Sequence, residues 1–294
     1  MPETRGIDHI VHCVRDLDAA IARLEAFGFT LTPRALHPFG TGNALVQLQG
    51  NFIELLAIVE PEKISGAAAG AFSFGAFCRD YLARREGMAM LVFESRDAQA
   101  DQRDFVGAGL TTYPVFDFSR KAGLPDGTEA TVAFSLAFVT HDDMPQAAFF
   151  TCQQHTPEYF WKPEYQSHPN SAQAIAEIVM VAEQPGDWRG LFEGLQGAGS
   201  VSEEGGRLAV QTARGTVTVL SEAGFAARFP GERAPKDSAG PVFAAAVVSV
   251  ADPEALRGSL AGSGVPVCED ADSRPFVPAA EAFGLVLGFA PDTR

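Results

Sequence analysis

The chain has 294 residues, 46% of them hydrophobic, and its 37 acidic and 22 basic residues give a net charge of −15. This length suits two domains of ordinary size. The acidic balance and the lack of a basic run argue against nucleic-acid binding, because an acidic chain repels phosphate backbones.

The four cysteines have neither metal-finger spacing nor the density of a disulfide framework, so we expect reduced thiols. The N-terminus lacks the apolar core of a signal peptide. The longest apolar run, PVFAAAVVSVA, is too short to span a bilayer. We therefore expect a cytoplasmic protein without membrane contact.

The first predicted element is the strand in GIDHIVHCVRD, residues 6–16. Asp16 ends this strand and can cap a helix, which Gly28 then stops. Two further strands, NALVQLQGN and FIELLAIV, meet at a Gly-Asn hairpin signal. The segment therefore predicts a βαβββ module.

The same pattern recurs three times along the chain, with Asp97 and Asp252 aligned on Asp16. The repeats begin at residues 89–112, 176–199 and 244–267. The sequence thus predicts an α+β protein of four tandem βαβββ modules. Modules one and two would form a first domain over residues 1–160, and modules three and four a second over 175–294. The bridge between them, 161–174, is rich in Pro and aromatic residues and is predicted to be ordered.

His9 and His12 lie three residues apart on the first strand. Because side chains of a strand alternate between its faces, they point to opposite sides and cannot chelate one ion. His12 is expected to pack in the core. Glu54 lies in the apolar run NFIELLAI, where a carboxylate needs a reason such as metal coordination or an ion pair.

Four tandem βαβββ modules resemble the vicinal-oxygen-chelate superfamily. The segments GIDHIVHCVRDLDAA, HPFGTGNALVQLQGNFIELLAIVEP and CQQHTPEYFWKPEYQSHPNSA are similar to the glyoxalase-like domain family. That family has a histidine before a Gly-Thr-x-Asn turn, a Leu-Glu-Leu-type strand and a Gln-His…Pro-Glu…Trp…His-Pro-Asn segment. The resemblance implies two cupped sheets, each made from two modules, with a metal or ligand on the concave side.

The resemblance places His9 and Glu54 at the metal-ligand positions of the first module. With His155 as third ligand or general base, they would form a two-His-one-carboxylate triad, which suits Zn, Ni, Mn or Fe. Glu54 would also be catalytic. A cup without any metal is the alternative.

Other residues are expected around the ligand. His37, Thr41 and Asn43 flank a tight turn, and the resemblance implies that they bind substrate. His168 and Trp161 would close over the cup. Met90 aligns with His9 but is a poor ligand for such ions, so it is counted as a substrate contact.

Two further regions are interpreted as structural and not as ligand-binding. The first-strand ligand positions of modules three and four hold Glu177 and Ala245, and their last strands lack His and Glu, which indicates a degenerate copy. Residues 70–83 place four aromatic side chains together. We favour a helix packed between modules over an apolar wall for a ligand.

The sequence therefore predicts a metal-dependent lyase or isomerase that acts on a small carbonyl or vicinal-oxygen compound. A non-catalytic small-molecule-binding protein of the same fold, without metal, is the alternative. A third interpretation is a subunit scaffold. A homodimer is one assembly that the sequence allows.

Overall fold

The computed structural model describes residues 4–123, 129–236 and 240–292, which form two mixed β-sheets. The strands of the first sheet are β1 (Ile7–Cys13), β2 (Ala35–Leu36), β3 (Thr41–Gln47), β4 (Phe52–Ile58), β5 (Gly87–Glu94), β6 (Thr111–Thr112), β7 (Phe116–Gly123), β8 (Glu129–Thr140) and β9 (Ala148–Gln154). The strands of the second are β10 (Ala172–Val181), β11 (Val201–Glu204), β12 (Arg207–Gln211), β13 (Thr216–Leu220), β14 (Val242–Val250), β15 (Cys268–Glu269), β16 (Pro275–Val277) and β17 (Val286–Pro291).

The α-helices of the described residues connect these strands. They are α1 (Leu17–Ala26), α2 (Phe74–Leu82), α3 (Ala98–Gly107), α4 (Pro157–Phe160), α5 (Arg189–Gln196), α6 (Glu222–Arg228) and α7 (Pro253–Gly262). No helix in the described part of the chain combines the length and the apolar character needed to cross a bilayer.

The strand order confirms the four predicted modules and the α+β class. The first sheet runs β2-β3-β4-β1-β5-β9-β8-β6, and β7 pairs with β8. In both sheets two modules meet along an antiparallel pair of first strands, β1 with β5 and β10 with β14. The second module has one strand more than predicted, because β7 forms a long hairpin with β8.

The repeated aspartates cap the helices as predicted. Asp16, Asp97 and Asp252 each accept a hydrogen bond from a backbone N–H in the first turn of α1, α3 and α7. These bonds satisfy donors that have no partner within the helix. Gly28 follows α1 with a φ of 83°, a left-handed conformation that favours glycine.

The two sheets share one hydrophobic core. Phe149 on β9 is fully buried there and meets Phe192 on α5 and Phe243 on β14 edge-on, at ring-centroid distances of 5.9 and 5.7 Å. The opposite face of each sheet has its own apolar cluster, with α2 in the first and α6 in the second. Each sheet therefore has one face in the shared core and one cupped face beneath a helix.

His12 lies on the shared-core side of β1. It is buried, and its Nε2 donates to the carbonyl oxygen of Phe283 in the second half at 2.9 Å. Burial lowers the pKa of His12, although the Phe283 carbonyl and Glu86 act in the opposite direction. His12 therefore packs in the interior as predicted, and its partner is in the other half of the chain.

Acid is expected to weaken the protein through His12. Because its pKa in the folded protein is lowered from 6.5, only the unfolded chain takes up this proton as the pH falls below 6.5. The free energy of unfolding therefore falls, by as much as about 1.4 kcal/mol for each pH unit below 6.5. Urea unfolding of the wild type and of His12→Gln at several pH values measures the difference. An identical pH dependence in both proteins would contradict the expectation.

Candidate functional site

A small cavity, of about 50 Å³, lies on the cupped face of the first sheet. Strands of both modules, helix α2 and the β7–β8 hairpin contribute to its wall. Its apolar lining is dominated by seven phenylalanines, Phe39, Phe52, Phe74, Phe118, Phe134, Phe150 and Phe160. The polar and charged groups are His9, His37, Asn43, Glu54 and Arg120. A few polar groups converging in an apolar cavity are typical of small-molecule sites.

The local structure explains why His9, Glu54 and Asn43 converge. Strands β1 and β4 are parallel neighbours, with His9 opposite Phe52 and Val11 opposite Glu54. Asn43 lies on β3, next to β4, and its Nδ2 donates to Glu54 Oε1 at 2.5 Å. The strand alternation predicted for β1 is also confirmed, since Val11 lies in the cupped-face cluster and Ile10 in the shared core.

His37 reaches the same place through a tight turn. Gly40, with a φ of 88°, reverses the chain so that the His37 side chain meets Thr41, at 2.8 Å between Nδ1 and Oγ1. A β-carbon at Gly40 would lie 2.5 Å from the Glu60 carbonyl oxygen, so no larger residue fits. The Nε2 of His37 faces the Asn43 amide nitrogen at 3.4 Å. Since that nitrogen only donates, the ring proton belongs on Nδ1, where Thr41 accepts it.

Glu54 is the central group of the site and is only 5% exposed. The Nε2 atoms of His9 and His37 each lie 3.8 Å from a different oxygen of its carboxylate. Burial raises the pKa of Glu54, and this effect outweighs the opposing influence of His9, Asn43 and Arg120. A carboxylate with a raised pKa is a better base than an exposed one.

The two histidines are oriented by second partners. His9 Nδ1 lies 2.6 Å from Asp8 Oδ2, and the ring stacks on Phe52 at 4.2 Å between centroids. Burial, with smaller effects from Arg120 and His9, lowers the pKa of His37 to about 3, so that His37 is neutral near pH 7. Both rings thus turn Nε2 toward Glu54.

The nitrogen and oxygen donors of His9, His37 and Glu54 are of the types that bind divalent cations. Histidines held at Nδ1 by a carboxylate or a hydroxyl are oriented to bind a metal through Nε2. Among the described residues, no group of three or more His, Cys, Asp or Glu is already arranged to hold an ion. Donors around a tetrahedral ion lie roughly 3.4 Å apart, so His9 and His37, each 3.8 Å from Glu54, would need to approach it by a few tenths of an ångström. Asn43 Oδ1, buried without a hydrogen-bond partner, is the kind of acceptor that a bound group completes.

His155 lies outside this group. It is exposed, its Nε2 lies 2.8 Å from Ser135 Oγ, and the Ser135 hydroxyl donates to Asp117. It is not among the residues that line the cavity. The structure therefore brings His37, not His155, beside His9 and Glu54.

Met90, Trp161 and His168 also do not line the cavity. Met90 is fully buried in the cupped-face cluster. Trp161 packs edge-on against Phe52, at 5.8 Å between ring centroids, and so lies behind the residue that stacks on His9. Both ring nitrogens of His168 have backbone partners, Thr30 N at 3.0 Å and Gln47 O at 2.9 Å. His168 thereby ties the bridge to the first module.

The second module has apolar residues where the first has His9 and Glu54. Met90 pairs with Ala148 on β9, as His9 pairs with Phe52 on β4. Two residues further along β9, the position that corresponds to Glu54 holds Phe150. One side of the cup therefore offers polar groups and the other an apolar wall.

Two features of the site were missed or interpreted differently from sequence. Arg120 was not singled out, because strand β7 was not recognised. The signal was the alternation of Phe116, Phe118 and Arg120 along FDFSRKAG. Helix α2 covers the cup and its Phe74 lines the cavity, so the apolar-wall interpretation applies to that residue.

The cup of the second sheet contains an internal ion pair. Glu177 accepts two hydrogen bonds from Arg228, at 2.8 and 2.6 Å, and one from Thr218. Burial alone would raise the pKa of Glu177, but its bonds with Arg228 and Thr218 lower it overall. Glu177 occupies the place of His9, and Thr218 the place of Glu54, in the register of the sheet.

Comparisons with known proteins agree with this architecture. The model of a glyoxalase-like domain family matches residues 7–195. No curated protein sequence matches the chain. Several solved structures share the fold at low sequence identity. A hypothetical protein from Staphylococcus aureus has a TM-score of 0.64 at 13% identity, covering 98% of this chain and 99% of its own.

Two further structures are similar over almost the whole chain. A Mn(II)-bound glyoxalase from Novosphingobium aromaticivorans has a TM-score of 0.58 at 12% identity, covering 99% of this chain and 83% of its own. A mutant of 4-hydroxymandelate synthase from Streptomyces coelicolor has a TM-score of 0.57 at 12% identity, covering 98% and 92%. At such identities the similarity shows the fold alone.

Proposed function

Because the chain belongs to the glyoxalase-like domain family of the vicinal-oxygen-chelate superfamily, we propose that its first cup is a lyase or isomerase site. The substrate is a small carbonyl or vicinal-oxygen compound, and the reaction begins with removal of a proton next to the carbonyl. The observation that carries the proposal is Glu54, a buried carboxylate with a raised pKa that faces an apolar cavity.

Glu54 is the base in this proposal. Its carboxylate takes the proton, the C–H electron pair moves toward the carbonyl oxygen, and an enolate forms. Return of the proton from Glu54 to the opposite face of the same carbon gives an epimer. In a 2-hydroxy carbonyl compound the hydroxyl proton moves to the enolate oxygen, and return of the Glu54 proton to the former carbonyl carbon gives an isomer. Where the next carbon bears a leaving group, the enolate electron pair expels it and a double bond forms, which is the lyase product. Asn43 holds Glu54 Oε1 through its amide N–H, so the other oxygen, Oε2, is the one that accepts the proton. The phenylalanine lining excludes water and so protects the enolate.

We propose that His9 and His37, together with the Glu54 oxygen that does not take the proton, would hold a divalent ion, which would be Zn, Ni, Mn or Fe. Such an ion would supply Lewis-acid polarisation of the carbonyl and stabilise negative charge on its oxygen. His37 replaces His155 in this role because its Nε2 lies 3.8 Å from the Glu54 carboxylate, whereas the Nε2 of His155 lies beside Ser135.

The four cysteines are free thiols, which agrees with a reducing compartment. We therefore retain a cytoplasmic location as part of the proposal.

A second candidate function is a binding protein without catalysis. Met90 and Phe150 favour it, because these apolar side chains stand where a symmetrical site would have two further ligands. The same cavity would then sequester a small apolar molecule.

Deuterium uptake distinguishes the two functions. The full chain is prepared metal-free and, separately, with Mn, Ni, Fe or Zn, and is mixed with a panel of 2-oxo and 2-hydroxy carbonyl compounds in D₂O. Proton NMR follows loss of the signal next to the carbonyl. The proposed enzyme exchanges at least one compound faster than buffer does. Binding without exchange in all five preparations would contradict catalysis and support the binding protein.

A further inference from the structure

We propose that the ligand of this site is an anion, a small 2-oxo or 2-hydroxy carboxylate, and that Arg120 binds its carboxylate at the mouth of the cavity. This inference rests on the proposed function and specifies its substrate class. It is argued from the unpaired charge of Arg120, the charges of the adjoining groove and the size of the cavity.

Arg120 is a largely buried guanidinium that makes no ion pair with any described carboxylate. Its described hydrogen bond goes from Nη1 to the Lys121 carbonyl at 3.4 Å. No carboxylate of the described residues lies within the 4.0 Å that defines an ion pair. By contrast, two other largely buried arginines have carboxylate partners, Arg5 with Asp101 at 2.7 Å and Arg228 with Glu177 at 2.6 Å.

A guanidinium without an ion-pair partner at the mouth of a cavity indicates that an anionic ligand binds there. Guanidinium has five N–H donors, stays charged at neutral pH, and matches a carboxylate with two parallel hydrogen bonds. Burying it without a partner is unfavourable. Glu54 favours the charged form of Arg120, although burial still lowers the pKa of Arg120. A ligand carboxylate would supply the missing partner.

The groove that adjoins the cavity is basic, although the protein carries a net charge of −15. Its volume is about 800 Å³, and it shares Asn43, Leu45, Arg120 and Phe160 with the cavity. The charged residues of its wall are four cationic ones and a single acidic one, namely Arg34, Arg120, Lys121, Lys162 and Glu164. Such a local positive potential attracts anions to the entrance.

The cavity limits the rest of the ligand. A free volume of about 50 Å³ holds only a few heavy atoms, and phenylalanines surround it. The body of the ligand is therefore a short carbon chain. Asn43 borders both cavity and groove, and its unsatisfied Oδ1 can accept a hydrogen bond from a hydroxyl next to the carboxylate.

Calorimetric titration of the full chain with 2-oxobutanoate and with its neutral amide, 2-oxobutanamide, tests the inference. A charge-assisted pair should make the carboxylate bind about 10- to 100-fold more tightly than the amide. Arg120→Gln should abolish this preference, and Arg120→Met provides a second variant without the charge. The matched control is Arg257→Gln, at an exposed arginine of α7 that pairs with Glu254 outside the groove and should leave the preference intact.

Equal affinities in the wild type, or a preference that survives in both Arg120 variants, would overturn the assignment. Inorganic phosphate that binds as tightly as 2-oxobutanoate would also overturn the carboxylate class. Deuterium exchange by the wild type separates this inference from the proposed function. In the wild type, preference for the carboxylate without exchange would support Arg120 and contradict catalysis, whereas exchange without the preference would do the reverse. Glu54→Gln should lose exchange and keep the preference.

Discussion

Replacing Glu54 by glutamine is expected to slow deuterium exchange by about 100- to 10,000-fold, the usual contribution of a positioned base. Glutamine keeps the shape of the side chain and can still accept the hydrogen bond from Asn43. It cannot take up the substrate proton. Exchange measured by NMR under saturating ligand isolates this loss from any change in binding.

The same substitution is expected to stabilise the metal-free protein. Because the pKa of Glu54 is raised above 4.5 in the fold, its contribution to stability is complete below pH 4.5 and declines as the pH rises through the folded-state pKa. At pH 7 glutamine avoids the cost of burying a charge, so urea unfolding should show a higher free energy of unfolding than in the wild type. At pH 4 the two proteins should be equal.

Glu177→Gln is the matched control in the second cup. There the pKa of the carboxylate is lowered and Arg228 is its partner, so the substitution should destabilise the protein while exchange continues. Glu54→Gln that retained full exchange would rule out Glu54 as the base.

Replacing Phe149 by alanine is expected to cost about 3–5 kcal/mol of folding free energy. The ring is fully buried and meets aromatic rings of the second half, Phe192 and Phe243. The substitution leaves a cavity in the core that both sheets share. Phe149→Leu keeps most of the volume and should cost less than about 1.5 kcal/mol.

Because the core is common, Phe149→Ala should shift a single unfolding transition. Chemical denaturation followed by tryptophan fluorescence and circular dichroism checks this, since Trp161 packs on Phe52 of the first sheet and Trp188 of the second half packs on His141 of the first. Tyr159→Ala, at an exposed ring, should leave the transition in place. Two separate transitions, or an unchanged midpoint in Phe149→Ala, would contradict a shared core.

The sequence predicted the modules well because each repeat encodes its own local structure. An apolar strand, a capping aspartate and a terminating glycine act within about 25 residues, and the structure has all three at Asp16 and Gly28. The ladder between β1 and β4 belongs to this module, and the resemblance to the superfamily paired His9 with Glu54 in advance.

The rest of the site depends on contacts between distant segments. His155 is a ligand by residue type, but it follows β9, its Nε2 lies beside Ser135 Oγ, and it does not line the cavity. His37 approaches Glu54 only because the turn at Gly40 closes on Glu60. Arg120 lies on a hairpin that the other modules lack, so the repeat gave no guide to it.

The Glu177–Arg228 pair has a consequence for how many molecules the protein can bind. In the second cup, the Glu177 carboxylate already pairs with Arg228. Because both residues belong to one chain, the effective concentration of this carboxylate is high, and a free anion competes poorly with it. A duplicated fold would otherwise bind two ligands. Titration with the ligand should therefore saturate at one equivalent per chain. Arg228, unlike Arg120, already has its anionic partner within the protein.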